Sequence, residues 1–126
     1  MQETGQSMKP ITQVKLEIFI PYDHVDALRE ALAEAGAGVI GNYDHCLSIQ
    51  RTEGYWRPLA GADPYDGKVG ELSHGVEARV EVNCPVEKVK GALQAIRAVH
   101  PYEEPVINVV PLVNGWFGEE SDGTMG

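Results

Sequence analysis

The sequence predicts an α/β chain of the α+β type, built from two strand–helix–strand units in tandem. Three observations predict it. Residues 14–21, VKLEIFIP, place Val14, Leu16, Ile18 and Ile20 on one face. Residues 76–85, VEARVEVNCP, repeat the pattern with Val76, Ala78, Val80 and Val82, while Glu77, Arg79 and Glu81 occupy the other face. Each run ends at a proline and passes into apolar residues at helical steps. Strict period two marks a strand with unlike faces, and steps of three and four build one apolar helix face.

The elements follow in order. After the first strand, Val25, Leu28, Leu32 and Ala35 predict a helix, with Asp23 as its cap. It stops at AGAG, where Gly36 or Gly38 can take a left-handed conformation. Residues 42–52 read as the second strand. Residues 51–75 form a connection of roughly 25 residues, longer than usual and therefore functional or packed on a partner. Its Tyr55, Trp56, Leu59 and Tyr65 argue for order. After the third strand, Val86, Val89, Leu93 and Ile96 predict a second helix, with Pro85 in its first turn. His100 precedes Pro101, which pushes it out of the helical region and ends the helix. Residues 105–113 supply the fourth strand. Two such units give a ferredoxin-like βαββαβ sandwich: a four-stranded antiparallel sheet with two helices on one face. The domain is expected over 13–113, between a flexible extension at 1–12 and a flexible acidic tail at 114–126, with Trp116 and Phe117 folding back. Phe19 on the uncovered face, and Cys46 and Ser48 alternating with Leu47 and Ile49, predict a partly apolar surface that a partner would cover.

Composition excludes several classes. The 126 residues carry a net charge of −9 with no cluster of Lys and Arg, which argues against nucleic acid as a partner. No apolar run approaches ~18 residues, so no membrane span is expected. The polar N-terminus lacks the apolar core of an export signal. Cys46 and Cys84 match no zinc spacing and are expected as free thiols in a reducing cytoplasm. The chain has no P-loop and no GxGxxG, Ser73 lies outside a GxSxG elbow, and no third group orients a Cys/His pair. Catalysis is not expected.

Two motifs carry candidate chemistry. In HPYEEP (100–105), His100, Glu103 and Glu104 are suitable metal ligands. Adjacent glutamates of an extended chain point to opposite faces, however, and a helix end at His100 with Tyr102 packed beside it explains the motif as well. In GNYDHC (41–46), His45 and Cys46 suit copper or zinc, but as strand neighbours they would face apart. The glycine turn 36–41 offers backbone N–H groups to an anion, or serves only to turn the chain. In the long connection Arg57 is the best polar candidate, because a guanidinium grips phosphate or carboxylate in a fork, and a salt bridge between subunits accounts for it equally well.

The segments GAGVIGNYDHC (36–46), RPLAGADPY (57–65), GKVGELSHGVEARVEV (67–82) and AVHPYEEP (98–105) together resemble the small domain inserted in the YqfO-type dinuclear-metal hexamer family, the NGG-interacting-factor-three-like proteins. The similarity covers 14–113. HPYEEP is also similar to the corresponding stretch of CutA divalent-ion tolerance proteins. Both belong to the PII-like group, so the resemblance implies ferredoxin-like subunits assembled as a homotrimer. It also implies a signalling connection between strands two and three, with small ligands at its base between subunits. In the full-length family the metal ligands lie on two flanking lobes. This chain matches the inserted module, so the dinuclear site and hydrolase activity are not expected of it.

The expected function is therefore a non-enzymatic, trimeric regulatory or sensory module. It would bind a small ligand, such as an adenine nucleotide or another anion, in the cleft between subunits, with Gly38, Gly41, Asn42, Tyr43, Arg57, Tyr102 and Glu103 as ligand-binding candidates. An alternative is a divalent-cation-binding protein using His45, Cys46, His100 and Glu104. A third is an interaction scaffold, meeting a protein target through the 51–75 connection.

Overall fold

In the computed structural model, which describes residues 9–118, four strands and two α-helices follow one another as β1 (Gln13–Ile20), α1 (Val25–Glu34), β2 (Ser48–Trp56), β3 (Ser73–Pro85), α2 (Val89–Val99) and β4 (Ile107–Leu112). The sheet order is β2-β3-β1-β4 and every neighbouring pair is antiparallel. This is the ferredoxin-like sandwich, with β2 and β4 as its edges. Residues 1–8 and 119–126, which hold most of the expected extension and tail, lie outside the described residues.

Register explains the layers. Leu16 lies opposite Val82 and Ile18 opposite Val80. With Val14, Ile20, Ala78 and Cys84, these residues form the buried sheet face beneath Val25, Leu28, Leu32, Ala92 and Ile96 of the two helices. Each large aliphatic side chain buried in this layer contributes about 1.5–3 kcal/mol. Val76 was expected in this set but is 44% exposed, because it lies at the β2–β3 end, past the helix cover. Cys84 takes the fully buried position instead.

The uncovered face departs from the apolar surface expected of it. Lys15 and Arg79 both approach Glu81, at 3.9 and 3.5 Å, and Arg79 also donates to Gln50. Phe19 is only half-buried. A charged lattice therefore occupies the centre of that face.

Helix ends are set by backbone geometry more than by side-chain caps. Asp23 does not cap α1. A 3₁₀ turn at Tyr22–His24 leads into the helix, and the Asp23 carboxylate binds the His24 ring at 3.0 Å. Pro85 is still extended and precedes a second such turn at Val86–Lys88. At the end of α1, Gly36 N–H donates to Ala33 O and Ala37 N–H to Leu32 O, with Gly36 at φ 90°. This is the Schellman arrangement, which uses two otherwise orphaned carbonyls and seats Ala37 in the core beside Leu32.

The second strand begins later than its pattern suggested. Residues 42–47 belong to a turn in which Ile40 and Tyr43 exchange backbone bonds, with positive φ at Gly38, Gly41 and His45. Gly38 fastens this turn to β3, donating to Asn83 O at 2.8 Å and accepting from Cys46 N–H at 2.9 Å. Pairing of β2 with β3 then runs out to Trp56 opposite Ser73. The ends of the expected 51–75 loop are thus hairpin strands, and the open connection is 57–72. A Cβ on Gly38 would stand 3.1 Å from Cys46 O and 3.2 Å from a Val82 methyl, whereas one on Gly41 would meet nothing within 4 Å. Gly38→Ala is therefore expected to cost about 2 kcal/mol and Gly41→Ala about 1 kcal/mol. Urea denaturation of both variants measures the difference; equal losses would mean that the turn does not press on β3.

Candidate functional site

The HPYEEP segment is organised by its histidine. His100 closes α2 and is buried. Its Nε2 lies 2.6 Å from Phe19 O, and its Nδ1 accepts the Tyr102 N–H at 3.2 Å. A carbonyl only accepts, so Nε2 carries the proton and the ring is neutral with both nitrogens engaged. Burial holds the imidazole below its ordinary pKa of 6.5. The Phe19 carbonyl and Glu77 pull it upward, and His24 adds to the lowering.

From this anchor the chain runs over the edge of the sheet. The Tyr102 ring lies 4.8 Å from that of His100 and 5.8 Å from that of Tyr65 in the 57–72 connection. Its hydroxyl donates to Glu77 on β3 at 2.8 Å. Burial first, and then this bond, raise its pKa above the ordinary value of 10.0. The connection is held from both ends. Trp56 Nε1–H donates to Asp66 O at 3.0 Å, and Asp63 N–H donates to the Glu103 carboxylate at 2.9 Å. Trp56 itself lies across Gly75, where a Cβ would come within 3.2 Å of its ring.

Between the connection and the HPYEEP segment opens a pocket of about 360 Å³, with Tyr55, Trp56, Arg57, Tyr65, Glu77 and Tyr102 among its lining residues. Glu103 and Glu104 both line it. Alternation would have sent them apart, but the backbone bends at both positions. A smaller hollow of about 260 Å³ adjoins it, sharing Trp56, Tyr65, Asp66, Glu77 and Tyr102. The volume is in the range of small-ligand sites.

The fold brings together Arg57, Tyr102, Glu103 and Glu104 and places the other candidates elsewhere. Gly38, Gly41, Asn42 and Tyr43 belong to the turn fastened at Asn83. That is six residues along β3 from Glu77, or roughly 20 Å at the rise of a strand. The amides of Gly36, Ala37, Gly38, Ile40 and Tyr43 are already bonded within the chain, which leaves the turn few donors for an anion. His45 and Cys46 are not strand neighbours. His45 has φ 57° and receives a bond from Arg29 at 3.0 Å, and the half-buried Cys46 thiol points to Asp44 O. His100 keeps no ring lone pair for a metal. Among the described residues no group of three His, Cys, Asp or Glu side chains is arranged to hold an ion. Cys84 is a free buried thiol whose pKa is pushed up to about 11, by burial first and Glu87 second, with Lys88 opposing.

The pocket also contains residues that sequence reasoning did not single out as ligands. Trp56 and Tyr65 had a signal, as aromatics in a loop that demanded order. Glu77 had none that distinguishes it from Glu81 on the same face of the strand.

These features define the chain as a ferredoxin-like sandwich with a pocket at the base of its β2–β3 connection, and the comparisons with known proteins agree on the fold. No protein-family model matches the chain. It is similar to curated proteins named GTP cyclohydrolase 1 type 2 homolog. Identity is 39% over 100 residues with that of Halalkalibacterium halodurans and 41% over 99 residues with that of Mycobacterium leprae. Each match takes in 79% of this chain but 27% and 26% of the relative, so the chain spans about a quarter of their length. Among solved structures, a Bacillus cereus protein related to NIF3 superposes with a TM-score of 0.71 at 33% identity, over 87% of this chain and 28% of that one. The periplasmic divalent cation tolerance protein CutA of Archaeoglobus fulgidus superposes with a TM-score of 0.58 at 17% identity, over 79% of this chain and 83% of that one. The latter likeness is one of fold. No helix among the described residues is long and apolar enough to cross a membrane.

The His100 bonds predict a pH dependence. A folded-state pKa below the unfolded value means that the unfolded chain binds more protons, so stability is complete above about 6.5 and is lost as pH falls through the folded pKa. His100→Phe keeps a ring but leaves Phe19 O without its donor. It is expected to cost about 1–3 kcal/mol near neutrality and to flatten the acid limb. Urea denaturation of both proteins at about pH 7.5 and about pH 5 checks this; an unchanged slope in the variant would assign the acid sensitivity to other groups.

Proposed function

We propose that this chain is a PII/CutA-like regulatory or sensory binding module, without catalytic activity, that takes a small ligand at the base of the 57–72 connection and passes occupancy on to that connection. The observation that carries the reading is the pocket of about 360 Å³ whose two walls are clipped together by the Asp63–Glu103 bond. A ligand that engages Glu103 draws on the carboxylate that also holds the Asp63 amide, which couples the pocket to one side of the loop. Of the lining groups only Arg57 could grip a nucleotide phosphate or another anion, and the carboxylates around it oppose one. The acidic lining favours a second reading, in which Glu103 and Glu104 take a divalent cation.

The assembly we propose is a homotrimer. Support comes from the likeness to the PII-like group and from the uncovered backbone of edge strands β2 and β4, which invites pairing with another copy. In such an assembly the turn carrying Gly38, Gly41, Asn42 and Tyr43, where Tyr43 is 74% exposed, would reach the pocket from a neighbouring subunit. We place the protein in the cytoplasm on the two free thiols. The relatives' name, GTP cyclohydrolase homolog, belongs to proteins of which this chain spans about a quarter, and their activity is not assigned to it.

Native mass spectrometry of untagged protein is expected to show three subunits; a monomer at micromolar concentration would remove the cleft between subunits from the proposal. Hydrogen exchange in the presence of adenine nucleotides, inorganic phosphate and zinc, each tried alone, is expected to change uptake at 57–66 and 102–106 together with the effective ligand. No change at either segment with any of the three would overturn the anion and metal readings alike.

A further inference from the structure

The charge of the pocket is opposite to what an anion needs. Its lining contains four carboxylates, Asp66, Glu77, Glu103 and Glu104, and one cation, Arg57. Among the described residues none of the four is paired with a Lys, Arg or His side chain. Glu77 receives the Tyr102 hydroxyl and Glu103 the Asp63 amide, both neutral donors, so their charge is left uncompensated. The remaining surface is aromatic and apolar: Tyr55, Trp56, Tyr65 and Tyr102, with Pro58, Pro64 and Val106. Unneutralised carboxylates beside the faces of tyrosine and tryptophan attract an ammonium twice over, through direct charge and through the ring quadrupole. The apolar walls then favour a hydrocarbon body attached to it. A polyphosphate would instead bring like charge against the acidic groups.

From these groups we infer that the pocket binds a small organic cation, an ammonium with a short apolar or aromatic body. The inference rests on the pocket being a ligand site and names the charge and class of what enters it. The ammonium lies against Glu77, Glu103 and Glu104, and the body lies on Trp56 and Tyr65. Arg57, exposed in the same lining, repels a second positive charge on the ligand.

A matched series separates charge from shape: phenethylamine, phenethyl alcohol and 3-phenylpropanoate, titrated into the full chain at constant ionic strength with a chelator present. Binding is read from the Trp56 indole N–H resonance. The amine is expected to shift it saturably, the alcohol to bind about tenfold more weakly and the carboxylate more weakly still. Glu104→Gln, on an exposed bend and outside the core, is expected to weaken the amine several-fold and leave the alcohol unchanged. Equal or tighter binding of the alcohol or the carboxylate overturns the cation assignment while the ligand site stands. Silence of the indole resonance with all three overturns the assignment and the pocket reading together. A Glu104→Gln variant that binds the amine as the parent does overturns the placement of the ammonium.

Discussion

The neutral imidazole of His100 ties three parts of the chain that share no sequence neighbourhood. One nitrogen donates to the end of β1 at Phe19 O, the other receives the Tyr102 amide, and the residue itself closes α2. Such a bridge inside a low-dielectric interior is stronger than its counterpart in water, and it is costly to leave half-made. Everything beyond it inherits its geometry. The Tyr102 amide is fixed, so its ring can meet Tyr65 and its hydroxyl can reach Glu77. The bend that follows turns Glu103 and Glu104 to one side, and Glu103 in turn holds the Asp63 amide. The pocket wall is therefore a sequence of dependent contacts starting at one buried ring.

Rigidity is distributed unevenly around this bridge. The sheet face and the two helices share one continuous apolar layer. The 57–72 connection is held by a few polar clips and exposes Leu59, Tyr65, Val69 and Leu72. Segments with few buried apolar contacts open at lower free energy than the core they are attached to. The pocket thus has a firm floor at Glu77 and Trp56 and a more yielding side beyond them.

How far the sequence discloses this structure depends on how local each determinant is. The alternation at Val14–Ile20 and at Ala78–Val82, and the helical steps from Val25 and Val89, are local, and the sandwich follows from them. The start of β2 lies later than the pattern predicts because the turn before it depends on a left-handed backbone at His45, a conformation that histidine adopts more readily than most residues but that is still uncommon for it. The two glutamates of HPYEEP diverge only on an extended backbone, whereas the chain bends at both, between the His100 and Asp63 contacts. The pocket was beyond reach for a simpler reason. Asp63 and Glu103 lie 40 positions apart, and only the pairing of strands brings their segments together.

One small feature bears on how such a unit is carried by longer proteins. The Trp116 indole N–H donates to Pro10 O at 3.0 Å, and the Lys9 ammonium approaches Trp116 O at 3.5 Å. Entry and exit of the described fold therefore meet at a single clasp. A unit closed in this way can be spliced into a surface loop of a host chain without prising the host's two halves apart, as compact domains with adjacent termini allow. In relatives about three times the length of this chain, such a clasp would let the sandwich keep its own closure whatever the rest of the chain does.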